Sequence, residues 1–197
     1  GDALKRYTGV ESPEMAANQL AAGAQDMAVM FVDLRGWTKA SYDMNPADAA
    51  RMANTYLSAA ADAIICAGGR VERFPGDAVM AVFEGHGRAD FDLAVRAARA
   101  VQRAMCDIEP SSNSVALGVG MGITYGAVAR VELGNLQRAD LTVVGATVNI
   151  AKALEDAAPA GVILAGIPNG WPIPDGCEPW AGTIPKLEPG TMTVCAM

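Results

Sequence analysis

Two rhythms of apolar positions run along this chain. Met27 to Leu34 (MAVMFVDL) is a short continuous apolar run and reads as a buried strand ending at Asp33. Gly36 breaks it. Pro46 then opens a long helix through about Ala67, proline being suited to an early helical position, and Gly68-Gly69 closes it. Arg70 to Phe74 and Ala78 to Phe83 read as strands joined by the turn Phe74-Pro75-Gly76-Asp77. A second helix covers Asp90 to Cys106, with Leu93, Val95, Ala97, Ala98, Val101 and Met105 as its apolar positions. After a loop at Ser111 to Asn113, Val115 to Thr124 and Ala127 to Leu133 read as strands around Tyr125-Gly126. Leu141 to Val144 is a short strand. Gly145 to Ala157 is a helix stopped by Pro159. Val162 to Ala165 and Thr191 to Cys195 are strands in a tail rich in proline and glycine. Strand, helix, strand hairpin, helix, strand predicts an α+β fold: an antiparallel-rich sheet with helices packed on one face. Residues 1–26 read as an N-terminal extension carrying a short helix at Pro13 to Ala22, and 27–197 as one domain.

Composition narrows the classes. With 197 residues, 51% hydrophobic and 19% charged, the chain can bury a sizeable core. Its net charge of −7 repels nucleic acid phosphates, so a DNA- or RNA-binding role is disfavoured. A nucleotide site stays open, because a metal ion can carry phosphate charge locally. No apolar run reaches the roughly 20 residues that cross a bilayer, and Gly1 to Val10 lacks the apolar stretch of a signal peptide, which predicts a cytoplasmic protein. Cys66, Cys106, Cys177 and Cys195 have no metal-binding spacing and read as reduced thiols. His86 is the only histidine, which excludes a histidine-rich zinc site and disfavours a histidine-based triad.

The chemistry is carried by acidic residues. Asp33 ends an apolar strand and Asp77 sits in a tight turn between two others. A carboxylate at a buried strand end is costly unless it is paired or holds a cation. Two of them brought together repel, and a divalent metal relieves that. The alternative is a pair of turn or cap aspartates on separate sides of the protein.

The surrounding motifs weigh against that alternative. Phe31-Val32-Asp33-Leu34-Arg35-Gly36-Trp37-Thr38 resembles the F-x-D-I-x-G-F-T motif of class III adenylate and guanylate cyclases. Phe74 to Phe83 (FPGDAVMAVF) resembles the family's I-G-D-A-V-M-A-V-F, and Thr142 to Ala151 (TVVGATVNIA) its T-V-I-G-x-x-V-N-x-A. The three occur in the family's order and at its usual separations, and the resemblance covers about residues 27–196. It implies a ferredoxin-like, palm-type fold and two metal ions, Mg²⁺ or Mn²⁺. Asp33 and Asp77 would hold the ions, with the backbone carbonyl of Leu34 as a further ligand. One ion lowers the pKa of a ribose 3′-hydroxyl, the other holds the β- and γ-phosphates, and in-line attack on the α-phosphate releases pyrophosphate. The loop Gly36-Trp37-Thr38 would cradle phosphate. Asn149 matches the asparagine that orients the ribose. Lys186 loosely matches a triphosphate lysine, or is a solvated surface lysine. In the family the site forms between two head-to-tail domains, so a chain carrying both residue sets implies a homodimer with two sites.

Two departures from the pattern bear on substrate and turnover. Where adenylate cyclases carry a base-reading lysine and guanylate cyclases usually glutamate, this chain has Arg73, with Thr142 as its partner in base selection. The missing glutamate argues against GTP. A planar, multi-donor guanidinium can read adenine, or O2 or O4 of a smaller base. This is similar to the pyrimidine cyclases of bacterial anti-phage signalling, so UTP or CTP is set slightly ahead of ATP. Second, Ala153 stands where the family has its transition-state arginine, with Lys152 and Arg130 as candidate substitutes or as solvated charges. Ala153 also leaves open a cyclase-like module that binds nucleotide without turnover.

Overall fold

The computed structural model describes residues 23–108, 117–135, 138–185, 187–188 and 190–197, and no side chain from 132 to 141. The helix expected at Pro13 to Ala22, the loop expected at Ser111 to Asn113 and Lys186 lie outside the described residues. The elements run β1 (Ala24–Arg35), α1 (Trp37–Ser41), α2 (Pro46–Cys66), β2 (Arg70–Arg73), β3 (Ala78–Phe83), α3 (Arg88–Cys106), β4 (Gly118–Asn135), β5 (Arg138–Val144), α4 (Ala146–Ala157), β6 (Ile163–Pro168), β7 (Glu178–Pro179) and β8 (Met192–Ala196).

Local chemistry explains the boundaries. The Asn45 side chain accepts a hydrogen bond from the Asp48 amide at 3.0 Å, capping α2, and Pro46 follows in the first turn. Gly68, with φ 91°, ends that helix in a conformation that side chains resist.

One sheet runs β2-β3-β1-β4-β6-β8-β7, with β5 paired to the far half of β4. β1 is antiparallel to both neighbours, which gives the split β-α-β arrangement of the ferredoxin-like class. Both faces of β1 are buried: Ala28, Met30, Val32 and Leu34 on one, Met27, Val29 and Phe31 on the other. The first face packs against Tyr56, Ala60 and Ile64 of α2 and Phe91, Ala94 and Val101 of α3. These long helices share a face as predicted. The shorter α4 lies on the opposite face, where Val148 and Ala151 meet Phe31, Met80 and Val143.

The expected break at Tyr125-Gly126 does not occur: β4 is one strand of 18 residues. Its glycines serve contact instead of turning. A Cβ at Gly122 would stand 2.2 Å from the Ala151 carbonyl oxygen and 2.3 Å from the Glu155 nitrogen. One at Gly126 would stand 2.8 Å from Thr147 Oγ1. Bare backbone at these two positions lets α4 lie directly on the sheet.

Candidate active site

The antiparallel register sets Asp33 of β1 opposite Ala78 of β3, so Asp77 stands at the adjoining strand end. The Leu34 amide donates to the Asp77 carbonyl at 3.3 Å, tying the β2–β3 turn to the end of β1. The two aspartates that lie 44 positions apart in sequence are thus neighbours, close enough for the Asp77 charge to push up the Asp33 carboxyl. Gly36 follows with φ 85°, a left-handed conformation natural to glycine, and α1 begins at Trp37, which is partly buried against the main core, while Thr38 is exposed.

Asp33 lies on the face that α4 covers. Burial pushes its carboxyl up to about 6 from 3.8, and the nearby Glu155 and Asp77 push the same way, while Arg35 and Lys152 pull it down. Arg35 bridges the group. Its guanidinium pairs with Asp33, donates to Glu155 Oε1 at 2.6 Å and to the Glu155 carbonyl, and reaches the Ala158 carbonyl at 3.1 Å. Gly120 makes room, because a Cβ there would stand 2.4 Å from Arg35 Nε. The Glu155 side chain is fully buried and takes a second pairing from Lys152, which also reaches Asp156 at 2.6 Å.

Sequence reasoning passed over Arg35, in a variable slot of the first motif, and Glu155. The available signal for Glu155 was an acidic residue on the apolar stripe formed by Ala151, Leu154 and Ala158. Such a position demands a cationic partner.

The other expected residues divide. Asn149 is exposed near the N-terminal end of α4, six positions before Glu155, or about 9 Å of helical rise. Arg73 is exposed at the end of edge strand β2, in register with Met80. Thr142 on β5 is buried, and its hydroxyl has no hydrogen-bond partner among the described residues. Met80 and Val143, the neighbour of Thr142, belong to one apolar cluster, but no hydrogen bond joins Arg73 to Thr142 among the described residues. Ala153 is buried beside Leu154, Leu164 and Ile184. Both candidate substitutes for the missing arginine are ion-paired: Lys152, 42% exposed, as above, and Arg130 with Glu72 and Glu84, each at 3.0 Å.

The all-oxygen set of Asp33, Asp77 and the Leu34 carbonyl suits a hard cation such as Mg²⁺ or Mn²⁺. The raised Asp33 fits this: burial is the main cause, Glu155 and Asp77 add repulsion, and a bound cation would offset both. No cluster of three or more His, Cys, Asp or Glu side chains suited to a metal occurs among the described residues, so the backbone carbonyl and substrate oxygens would complete the shell.

Domains with this fold and motif set are nucleotidyl cyclase catalytic domains. The sequence matches the adenylate and guanylate cyclase catalytic domain family over residues 20–165, and the chain belongs to that family. It is 35% identical over 155 residues to an adenylate cyclase of Anabaena cylindrica, covering 75% of this chain and 29% of that protein. It is 31% identical over 136 residues to a terminal-differentiation-specific adenylate cyclase of Dictyostelium discoideum, covering 66% of this chain and 6% of the other. Among solved structures it is similar in fold to the guanylyl cyclase Cya2, with TM-score 0.71, 24% identity and coverage of 88% and 91% of the two chains. The chain therefore spans less than a third of these curated relatives. No helix among the described residues is long and apolar enough to cross a membrane.

Proposed function

We propose that this domain converts a nucleoside triphosphate into a 3′,5′-cyclic nucleotide and pyrophosphate. The observation that carries the reading is the meeting of Asp33 and Asp77 at adjoining strand ends, tied by the Leu34–Asp77 backbone bond. Asp33, Asp77 and the Leu34 carbonyl would hold two Mg²⁺ or Mn²⁺ ions, which when bound acidify a ribose hydroxyl and neutralise triphosphate charge. The chain's own residues do the rest. Gly36 and the first residues of α1, Trp37 and Thr38, hold phosphate beside Asp33. Asn149 fixes the ribose, so that its 3′-oxygen bonds to the α-phosphorus as the bond to pyrophosphate breaks. Arg73 and Thr142 read the base.

Asn149 and Asp33 sit towards opposite ends of α4. This supports a head-to-tail homodimer in which each site takes Asp33 and Asp77 from one protomer and Asn149, Arg73 and Thr142 from its partner. On the base, the similarity to two proteins named adenylate cyclases supports ATP. The second reading is UTP or CTP, favoured by Arg73, whose exposed guanidinium has no ion-pair partner among the described residues. Incubation of the protein with Mn²⁺ and ATP, GTP, CTP or UTP, with products resolved by mass, decides both questions. Cyclic AMP is the expected product; cyclic UMP or CMP selects the second reading. No cyclic product from any of the four defeats the enzymatic reading.

A further inference from the structure

On the sheet face opposite Asp33, α3 and the segment 172–175 line an open cavity of about 520 Å³. Three guanidiniums line it: Arg88, Arg96 and Arg99, set along one stripe of α3. Among the described residues none of the three forms an ion pair. Two are held by groups that fix the side chain without cancelling its charge. Arg88 lies over the Trp171 ring, 5.3 Å from its centroid, and Arg99 donates to the Asp175 backbone carbonyl and to the Met197 sulfur. Trp171 is itself fixed by Phe91 and Tyr125, with centroids at 6.0 and 4.9 Å.

Asp92 and Asp175 also line the cavity without pairing to an arginine among the described residues, and three arginines against two aspartates leave the lining a positive excess in a chain of charge −7. Neighbouring guanidiniums repel one another, and an oxyanion between them turns that repulsion into attraction. Their planar forks match phosphate oxygens. The opposite wall is apolar: Ile173 is 47% exposed, between Pro172 and Pro174. The volume falls within the ~300–1,000 Å³ of small-molecule sites.

We propose that this cavity binds a small organic phosphate, its phosphate group on the arginines and its body along Ile173. The site is separate from the Asp33–Asp77 pair and stands whether or not that pair turns over nucleotide. The test is calorimetric titration of protein in EDTA with phenyl phosphate, which carries no base or ribose, beside inorganic phosphate and benzyl alcohol. The expected result is saturable binding of phenyl phosphate at one site per chain, tighter than inorganic phosphate, with none of benzyl alcohol. Arg96→Gln, an exposed change with no described contact to lose, weakens it by about tenfold, as does Arg99→Gln. Asp33→Asn leaves it intact. Absence of saturation up to about 5 mM, weaker than ordinary metabolite sites, overturns the proposal. So do binding unchanged by both arginine variants, and inorganic phosphate binding as tightly as the ester.

Discussion

At the residue scale, Asp33 does the most with its surroundings. Its carboxyl is held up near 6 against 3.8 in the open chain, so the folded state takes up a proton between those values. The stability this residue contributes is therefore complete below about pH 4 and is lost as pH rises through 6. Thermal melts of metal-free protein should show that slope, and Asp33→Asn should flatten it. A divalent cation competes with the same proton. The rise in melting temperature on adding Mn²⁺ should accordingly be larger at pH 7.5 than at pH 5, and vanish in Asp33→Asn. Glu155 is the second telling residue. Its removal leaves Arg35 and Lys152 without their buried partner, which costs about 3 kcal/mol by the measure of broken buried pairs, readable in urea unfolding. The isosteric Glu155→Gln should cost less, because its carbonyl can still accept from Arg35.

At the scale of elements, the contact between β4 and α4 sets the site. Gly122→Ala drives a methyl group into the backbone of α4 at two points, neither of which can rotate away. It should cost about 3 kcal/mol, at the upper end for overpacking, and loosen the Arg35–Glu155 bridge with it. Gly76→Ala is the control. Its φ of 68° strains a side chain, but nothing lies within 4 Å of the added carbon, so the cost should stay near 1 kcal/mol. Urea midpoints of the two variants check the contrast. The β2–β3 turn shows the same dependence on neighbours: Asp77 reaches Asp33 only because β3 pairs with β1 in the register observed.

At the scale of the whole molecule, the distribution of residues along α4 bears on assembly. If the active unit is the proposed head-to-tail dimer, Asp33→Ala and Asn149→Ala should each be inactive alone. Mixed and refolded in equal amounts they should regain about one quarter of wild-type activity, because half the dimers are mixed and each mixed dimer carries one intact site. No recovery would place both residue sets in one protomer's site. Arg73→Lys should raise the preference for ATP over UTP if the guanidinium reads the base, measured as the ratio of kcat/KM values.

What the sequence determined by itself is local and periodic. The strand hairpin around Pro75-Gly76, the two long helices and the helix after Gly145 follow from turn chemistry and 3.6-residue spacing, and the structure keeps them within two residues. The identity of Asp33, Asp77 and Asn149 as candidates came from motifs, which record residue types at fixed offsets. Tertiary structure alone decided the rest. The continuity of β4 through Gly126 was hidden because glycine signals a turn when read locally, whereas here its missing side chain serves the approach of α4. The Asp33–Arg35–Glu155–Lys152 chain was equally hidden, since residues 120 positions apart have no spacing that links them. Pairing energy depends on distance in space and on exclusion of water, and only the packed fold sets those two quantities.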